Sequence, residues 1–295
     1  MRLARFASRG GEHLWGKLGK DGAIDAPRGS LQEAGLVAAL ERAPEDLLEA
    51  LDRSGTIRHS VEDVQLLAPI GAPSKVIGVG RNYRAHVAET GSEEPSSPML
   101  FGILPSALTG PTDDIELPLQ SEAVDWEGEL GVVIGRRARH VPRASALDVI
   151  AGYVVVNDIT ARDLQRSDGQ WTRAKSFDTF KPTGPCVATA DDLGLARSLR
   201  VEVHVNGEQR QSATTDQMIF PVDVLLEFIT SFCTLMPGDI VATGTPSGVG
   251  AGMDPPVFLK AGDVVETSVE GIGRLVNKVT ESGHSQKSAV GSSDV

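Results

Sequence analysis

Long apolar runs are missing from this chain. No stretch approaches the roughly 20 consecutive apolar residues that a helix needs to cross a bilayer, and Met1-Arg2-Leu3-Ala4-Arg5 lacks the apolar segment of a secretory signal. Cysteine is almost absent as well. Cys186 and Cys233 are the only two in 295 residues, and they are too far apart for a Cys-x-x-Cys spacing. Neither a disulfide framework nor a zinc knuckle is implied, so both are expected to be reduced thiols in a soluble cytoplasmic protein. Basic residues are outnumbered, 28 Lys plus Arg against 40 Asp plus Glu, for a net charge of -12. That acidity argues against nucleic acid or an anionic membrane as a partner, since both require a basic face, and it suits a site that gathers a cation. Two nucleotide motifs are incomplete. Gly78-x-Gly80 follows an expected strand, but Tyr83 stands where the third glycine of a dinucleotide turn belongs. The glycines at 244, 248 and 250 lack the Lys-Ser/Thr of a Walker loop.

What is present centres on Asp125-Trp126-Glu127-Gly128-Glu129-Leu130-Gly131-Val132-Val133-Ile134-Gly135. The aliphatic run from Leu130 to Ile134, closed by Gly135, predicts a buried strand. Side chains two apart on a strand share a face, so Glu127 and Glu129 project into one volume. Like charges held together there need a proton or a cation, and a hard divalent ion with oxygen ligands is the simplest remedy. Two exposed glutamates on a strand edge are the plain alternative. Tyr153-Val154-Val155-Val156-Asn157-Asp158 predicts another buried strand that ends on an acid, a natural third ligand. Asp163 competes for that role, but it sits where a helix begins and an acid serves the N-terminal dipole.

Along the chain, an alternating stretch broken at Gly10-Gly11 and Lys20-Asp21-Gly22 predicts a small β-meander, and Ser30 to Leu51 has helical spacing with a Ser30/Glu33 capping box. A junction near residue 70 separates a small N-terminal α+β domain, 1–70, from a body over 71–280. Within the body, His86 and Glu89 lie three apart on a helical turn, where the carboxylate can orient the imidazole as a base for water. A surface pair is the alternative. The breaker-rich residues 90–98 predict a loop placed as a lid. Lys175 alone reads as a surface lysine. Asn206-Gly207 marks a hairpin, 221–233 an amphipathic helix, and Thr245 with its neighbouring amides a set of donors for a small anion. The Ser/Gly-rich residues 281–295 predict a disordered tail.

Taken together, Gly80-Arg81-Asn82-Tyr83-x-x-His86-x-x-Glu89, Asp125-Trp-Glu127-x-Glu129, Asn157-Asp158, Lys175-Ser-Phe-Asp-Thr-Phe and Gly238-Asp-Ile-x-x-Thr-Gly244-Thr245-Pro-x-Gly-Val-Gly250 resemble the fumarylacetoacetate hydrolase family over roughly residues 70 to 280. The resemblance implies a mixed, β-rich α+β fold, a β-roll with a small N-terminal domain, and a homodimer. It also implies Mg²⁺ or Mn²⁺ as cofactor, with Ca²⁺ usable in vitro. By the same resemblance Glu127, Glu129 and Asp158 are metal ligands, His86 and Glu89 the water-activating dyad, and Lys175 the charge that meets substrate oxygens. Arg81, Tyr83, Gly244 and Thr245 are implied as substrate contacts. Many members carry a lysine shortly after the Leu-Phe that is Leu100-Phe101 here, whereas this chain reads Gly102-Ile103-Leu104, which predicts less inward positive charge. The expected reaction is hydrolysis of a C–C bond in a 2,4-diketo acid of the acylpyruvate or fumarylpyruvate type, through an enolate. Decarboxylation of a β-keto acid such as oxaloacetate and keto–enol isomerisation are alternatives on the same site, and a non-catalytic binder of small acids is a remote one.

Overall fold

The computed structural model describes residues 1–27, 37 and 55–282. The helix expected over 30–51 therefore lies outside the described residues apart from residue 37, as do residues 283–295 of the expected tail. Glu281 is the last residue of the strand Gly273–Glu281.

The architecture is β-rich, as expected. A large sheet runs in the order Thr56–Ser60, Ala23–Pro27, His13–Leu18, Arg2–Ala7, Lys181–Thr189, Ile150–Asn157, Gly128–Ile134, Ile240–Ala242, Val76–Gly80 and Met99–Ile103. The N-terminal meander is thus continuous with the main sheet: Arg2 pairs with Ala188 and Leu3 with Val187, antiparallel. A second sheet of five strands contains the hairpin Arg200–Val205 and Glu208–Thr214. Its turn has Asn206 at φ 54 and Gly207 at φ 79, the two positive φ values that match a two-residue loop to strand twist.

Gly128–Ile134 is buried along its whole length, because it has a paired strand on either side and apolar clusters on both faces. A strand in that position is rich in aliphatic residues, supplied here by Leu130, Val132, Val133 and Ile134. The helix Val222–Phe232 buries Val222, Leu225, Leu226 and Ile229, an i, i+3, i+4, i+7 stripe that seats it on the main core. Cys186 is buried and Cys233 half-buried, both as free thiols. Among the described residues no helix is long and apolar enough to cross a membrane.

Candidate active site

Pairing register assembles the acids. In the antiparallel pair formed by Gly128–Ile134 and Ile150–Asn157, Gly128 faces Asn157 and Glu129 faces Val156. One step beyond, the Asp158 amide donates to the Glu127 carbonyl at 2.8 Å. Glu127 and Asp158 are therefore neighbours across the strand ends, and Glu129 joins them from the same face. One carboxylate oxygen from each lies within 4.8 Å of the others, and all three side chains are buried.

Four buried acids meet three buried cations here. Lys175 Nζ donates to Glu127 Oε2 at 2.8 Å, to Asp158 Oδ2 at 2.7 Å and to Thr160 Oγ1 at 2.8 Å. Arg162 contacts Glu127 Oε1 at 2.6 Å through Nη1 and Asp125 Oδ2 at 2.8 Å through Nε. Lys181 Nζ lies 2.8 Å from Asp158 Oδ1. Burial alone would raise the Glu127 carboxyl, but the Lys175 ammonium and the Arg162 guanidinium outweigh it and hold the group down at about 2. Glu129 behaves oppositely. Burial, then the charges of Asp158 and Glu127, push it well above its ordinary value, and among the described residues it makes no ion pair. Its partner is the Gly244 amide, which donates to Oε2 at 2.8 Å. A buried acid without a cation, next to two others with hard oxygen donors, fits a hard divalent ion, for which these three residues would be the ligands.

Glu127 and Glu129 stand in the wall of a cavity of about 370 Å³ that is also lined by His86, Glu89, Arg81, Lys175 and Thr245, while Asp158 is buried beside them and does not line it. His86 and Glu89 lie on the helical turn Arg84–Glu89, and His86 Nδ1 is 3.1 Å from Glu89 Oε2. A carboxylate can only accept, so this contact places the proton on Nδ1 and leaves Nε2 as the basic nitrogen. Lys175, which reads as a surface lysine by itself, is 1 % exposed. Its Nζ lies over the Phe101 ring, 5.0 Å from the centroid. Thr90 and Ser92, from the loop expected as a lid, line the cavity too.

Several expected contacts are placed differently. In the glycine-rich loop, four amides serve the protein's own carboxylates. Gly244 N donates to Glu129, Gly248 N to Glu89 at 2.8 Å, and Gly250 N and Ala251 N to Asp125 at 2.7 and 3.0 Å. The Thr245 hydroxyl donates to the Gly128 carbonyl at 3.0 Å and accepts from Gln211 at 2.9 Å. Thr245 thus braces the strand that bears Glu129, while Gly244 lies behind that carboxylate. Tyr83 packs in the core, 1 % exposed, and is not part of the cavity lining. Burial, with the Glu129 charge nearby, pushes its phenol far up. Arg81 does line the cavity, at φ 55.

Position 103 is apolar in environment as well as in sequence, with Ile103 in a cluster with Val133, Val154 and Val156. A further buried ammonium, Lys181, lies beside Asp158 but does not line the cavity. Arg162 and Lys181 escaped the sequence reading. The signal that could have exposed them is charge balance: four acids drawn into one buried place require compensation, and the segments next to Asp158 contain these cations. Asp163 serves its helix start, accepting from Ser121, Glu122 and Leu164.

Residues 75–280 match the family model for the C-terminal domain of fumarylacetoacetate hydrolase. The chain belongs to the fumarylacetoacetate hydrolase family. It is 45 % identical over 219 residues to the mitochondrial oxaloacetate tautomerase FAHD2A of Bos taurus, an alignment covering 74 % of this chain and 70 % of that protein. Among solved structures, it is similar to the fumarylacetoacetate hydrolase of Exiguobacterium antarcticum, with a TM-score of 0.82 and 37 % identity, covering 95 % of this chain and 99 % of that one. The 2-hydroxyhepta-2,4-diene-1,7-dioate isomerase of Mycobacterium marinum superposes with a TM-score of 0.75 at 39 % identity, over 96 % of this chain and 99 % of that one.

Proposed function

We propose that this chain is a divalent-metal-dependent enzyme acting on 2-keto acids through an enolate, and that it hydrolyses the C–C bond of a 2,4-diketo acid. The observation that carries the proposal is the convergence of the Glu127 and Glu129 carboxylates, the Lys175 ammonium and the His86–Glu89 pair on one cavity, with the buried Asp158 carboxylate beside the two glutamates. Glu127, Glu129 and Asp158 would hold a divalent ion, which when bound would supply Lewis-acid stabilisation of enolate charge. Lys175 adds a fixed, buried positive charge for the same oxygens, where low dielectric makes it effective. His86 Nε2 takes a proton from water while Glu89 holds the ring and balances the charge that forms on it. The water oxygen adds to the distal carbonyl carbon, the C3–C4 bond breaks, and its electron pair becomes the enolate, which gains a proton at C3. The products are a carboxylate and a 2-keto acid.

Keto–enol tautomerisation of a β-keto diacid is the second reading, supported by the relationship to the enzyme named oxaloacetate tautomerase. That reaction needs a proton shuttle but no water attack. The test is to follow acetylpyruvate, fumarylpyruvate and oxaloacetate side by side, with Mg²⁺, with Mn²⁺ and after EDTA. Pyruvate released from a diketo acid only when metal is present supports hydrolysis. Enol–keto interconversion of oxaloacetate without cleavage of any diketo acid overturns hydrolysis in favour of the second reading.

A further inference from the structure

Lys181 opens the strand Lys181–Thr189 and is completely buried, yet the proposed chemistry gives it nothing to do. Placing an ammonium in such a position costs several kcal/mol of hydration, a cost that an apolar side chain would avoid. Its surroundings hold it firmly. Nζ donates to the carbonyls of Ile159 and Phe180, both at 3.0 Å, and lies 2.8 Å from Asp158 Oδ1. The other Asp158 oxygen, Oδ2, is 2.7 Å from Lys175 Nζ. Each oxygen of this carboxylate therefore has its own ammonium.

The two ammoniums are not equally replaceable. Lys175 also contacts Glu127 Oε2 and Thr160 Oγ1, so it keeps two partners when Oδ2 turns toward an ion. Lys181 is pinned by two backbone carbonyls, which keep its ammonium 2.8 Å from Oδ1 as an ion-pair contact without hydrogen-bond geometry. We propose that Lys181 sets the metal preference of the triad by restricting Asp158 to one coordinating oxygen, favouring Mg²⁺ or Mn²⁺ over Ca²⁺. This rests on the reading of the triad as a metal site. Small octahedral ions take single oxygens at close range, whereas Ca²⁺ accepts more ligands and often uses both oxygens of a carboxylate. The positive charge of Lys181 opposes all three divalent ions alike, so it cancels in their affinity ratio. The ratio isolates the geometric effect.

The test is calorimetric titration of the metal-stripped full chain with Mg²⁺, Mn²⁺ and Ca²⁺, for the wild type, Lys181→Met and Lys181→Gln. Lys181→Met is expected to tighten Ca²⁺ at least about tenfold more than Mg²⁺ or Mn²⁺, within the range by which groups behind metal ligands alter affinity. Lys181→Gln, which retains a donor toward Oδ1, is expected to keep more of the wild-type ratio. Ions that bind with an unchanged ratio in Lys181→Met overturn the role of Lys181 and leave the metal site standing. A wild type that binds none of the three ions overturns both. Should the variants fail to fold, crystals of the wild type soaked with Ca²⁺ decide: one Asp158 oxygen on the ion supports the proposal, and two overturn it.

Discussion

Glu89 holds Gly248, 159 positions away in the chain, by accepting its amide hydrogen on Oε1 at 2.8 Å while Oε2 faces His86 Nδ1. The carboxylate that orients the imidazole is itself oriented by the glycine-rich loop, so Glu89 is engaged through both of its oxygens. His86→Ala is expected to remove hydrolysis of a diketo acid by the roughly 10²–10⁴-fold typical of a general base, while leaving much of any decarboxylation of oxaloacetate. Steady-state rates on both substrates check this, and hydrolysis retained in the variant would remove the dyad from the mechanism.

Lys175 compensates Glu127 and Asp158 from a position where its own side chain is buried. Lys175→Met leaves those charges short of a partner, and breaking such a buried pair costs about 3–5 kcal/mol. In metal-free protein the variant is expected to melt well below the wild type. Added Mg²⁺ or Mn²⁺ is expected to raise the variant's Tm by more than it raises the wild type's, because the ion supplies charge that the lysine no longer does. Equal shifts in both proteins would contradict this account.

The two glutamates pull the pH dependence in opposite directions. Glu127 is held below its ordinary value of 4.5, at about 2, so its contribution to stability is present above pH 4.5 and is lost as pH falls toward 2. Glu129 is raised, so its contribution is present below pH 4.5 and lost as pH climbs through its folded value. An ion binding to the triad must displace the Glu129 proton. Metal affinity is expected to rise with pH above 4.5 until that carboxyl ionises by itself, with proton release on binding. Calorimetry in two buffers of different ionisation enthalpy measures the protons directly; an affinity flat in pH from 4.5 upward, without release, would refute the coupling.

Gly248 has φ 101, and a Cβ built there would lie 1.9 Å from the Arg210 carbonyl oxygen. Gly248→Ala is expected to destabilise the fold by more than about 1 kcal/mol from the positive φ alone, and further from the backbone collision. Because the Gly248 amide holds Glu89, the same variant should lose hydrolysis at temperatures where it is still folded. Thermal melts and rates on one preparation test both effects.

The sequence by itself determined the pattern of elements and most of the chemistry-bearing residues. The aliphatic run after Glu129 reads as a buried strand, Asn206-Gly207 as a hairpin turn, and the apolar stripe within 221–233 as an amphipathic helix, because these are local properties of periodicity and backbone preference. The motifs around His86, Glu127, Asp158 and Lys175 located the acids, the base and one cation. Tertiary structure alone decided how charge is shared among them. Whether Lys175 is solvated or buried, which acid is left without a cation, and that Arg162 and Lys181 complete the set all depend on the register of Gly128–Ile134 against Ile150–Asn157 and on which segments close over it. The same holds for the glycine-rich loop. Its amides look free to bind an anion until the fold brings Glu89, Asp125 and Glu129 beneath them, since hydrogen-bond partners more than a hundred residues apart leave no mark on local sequence.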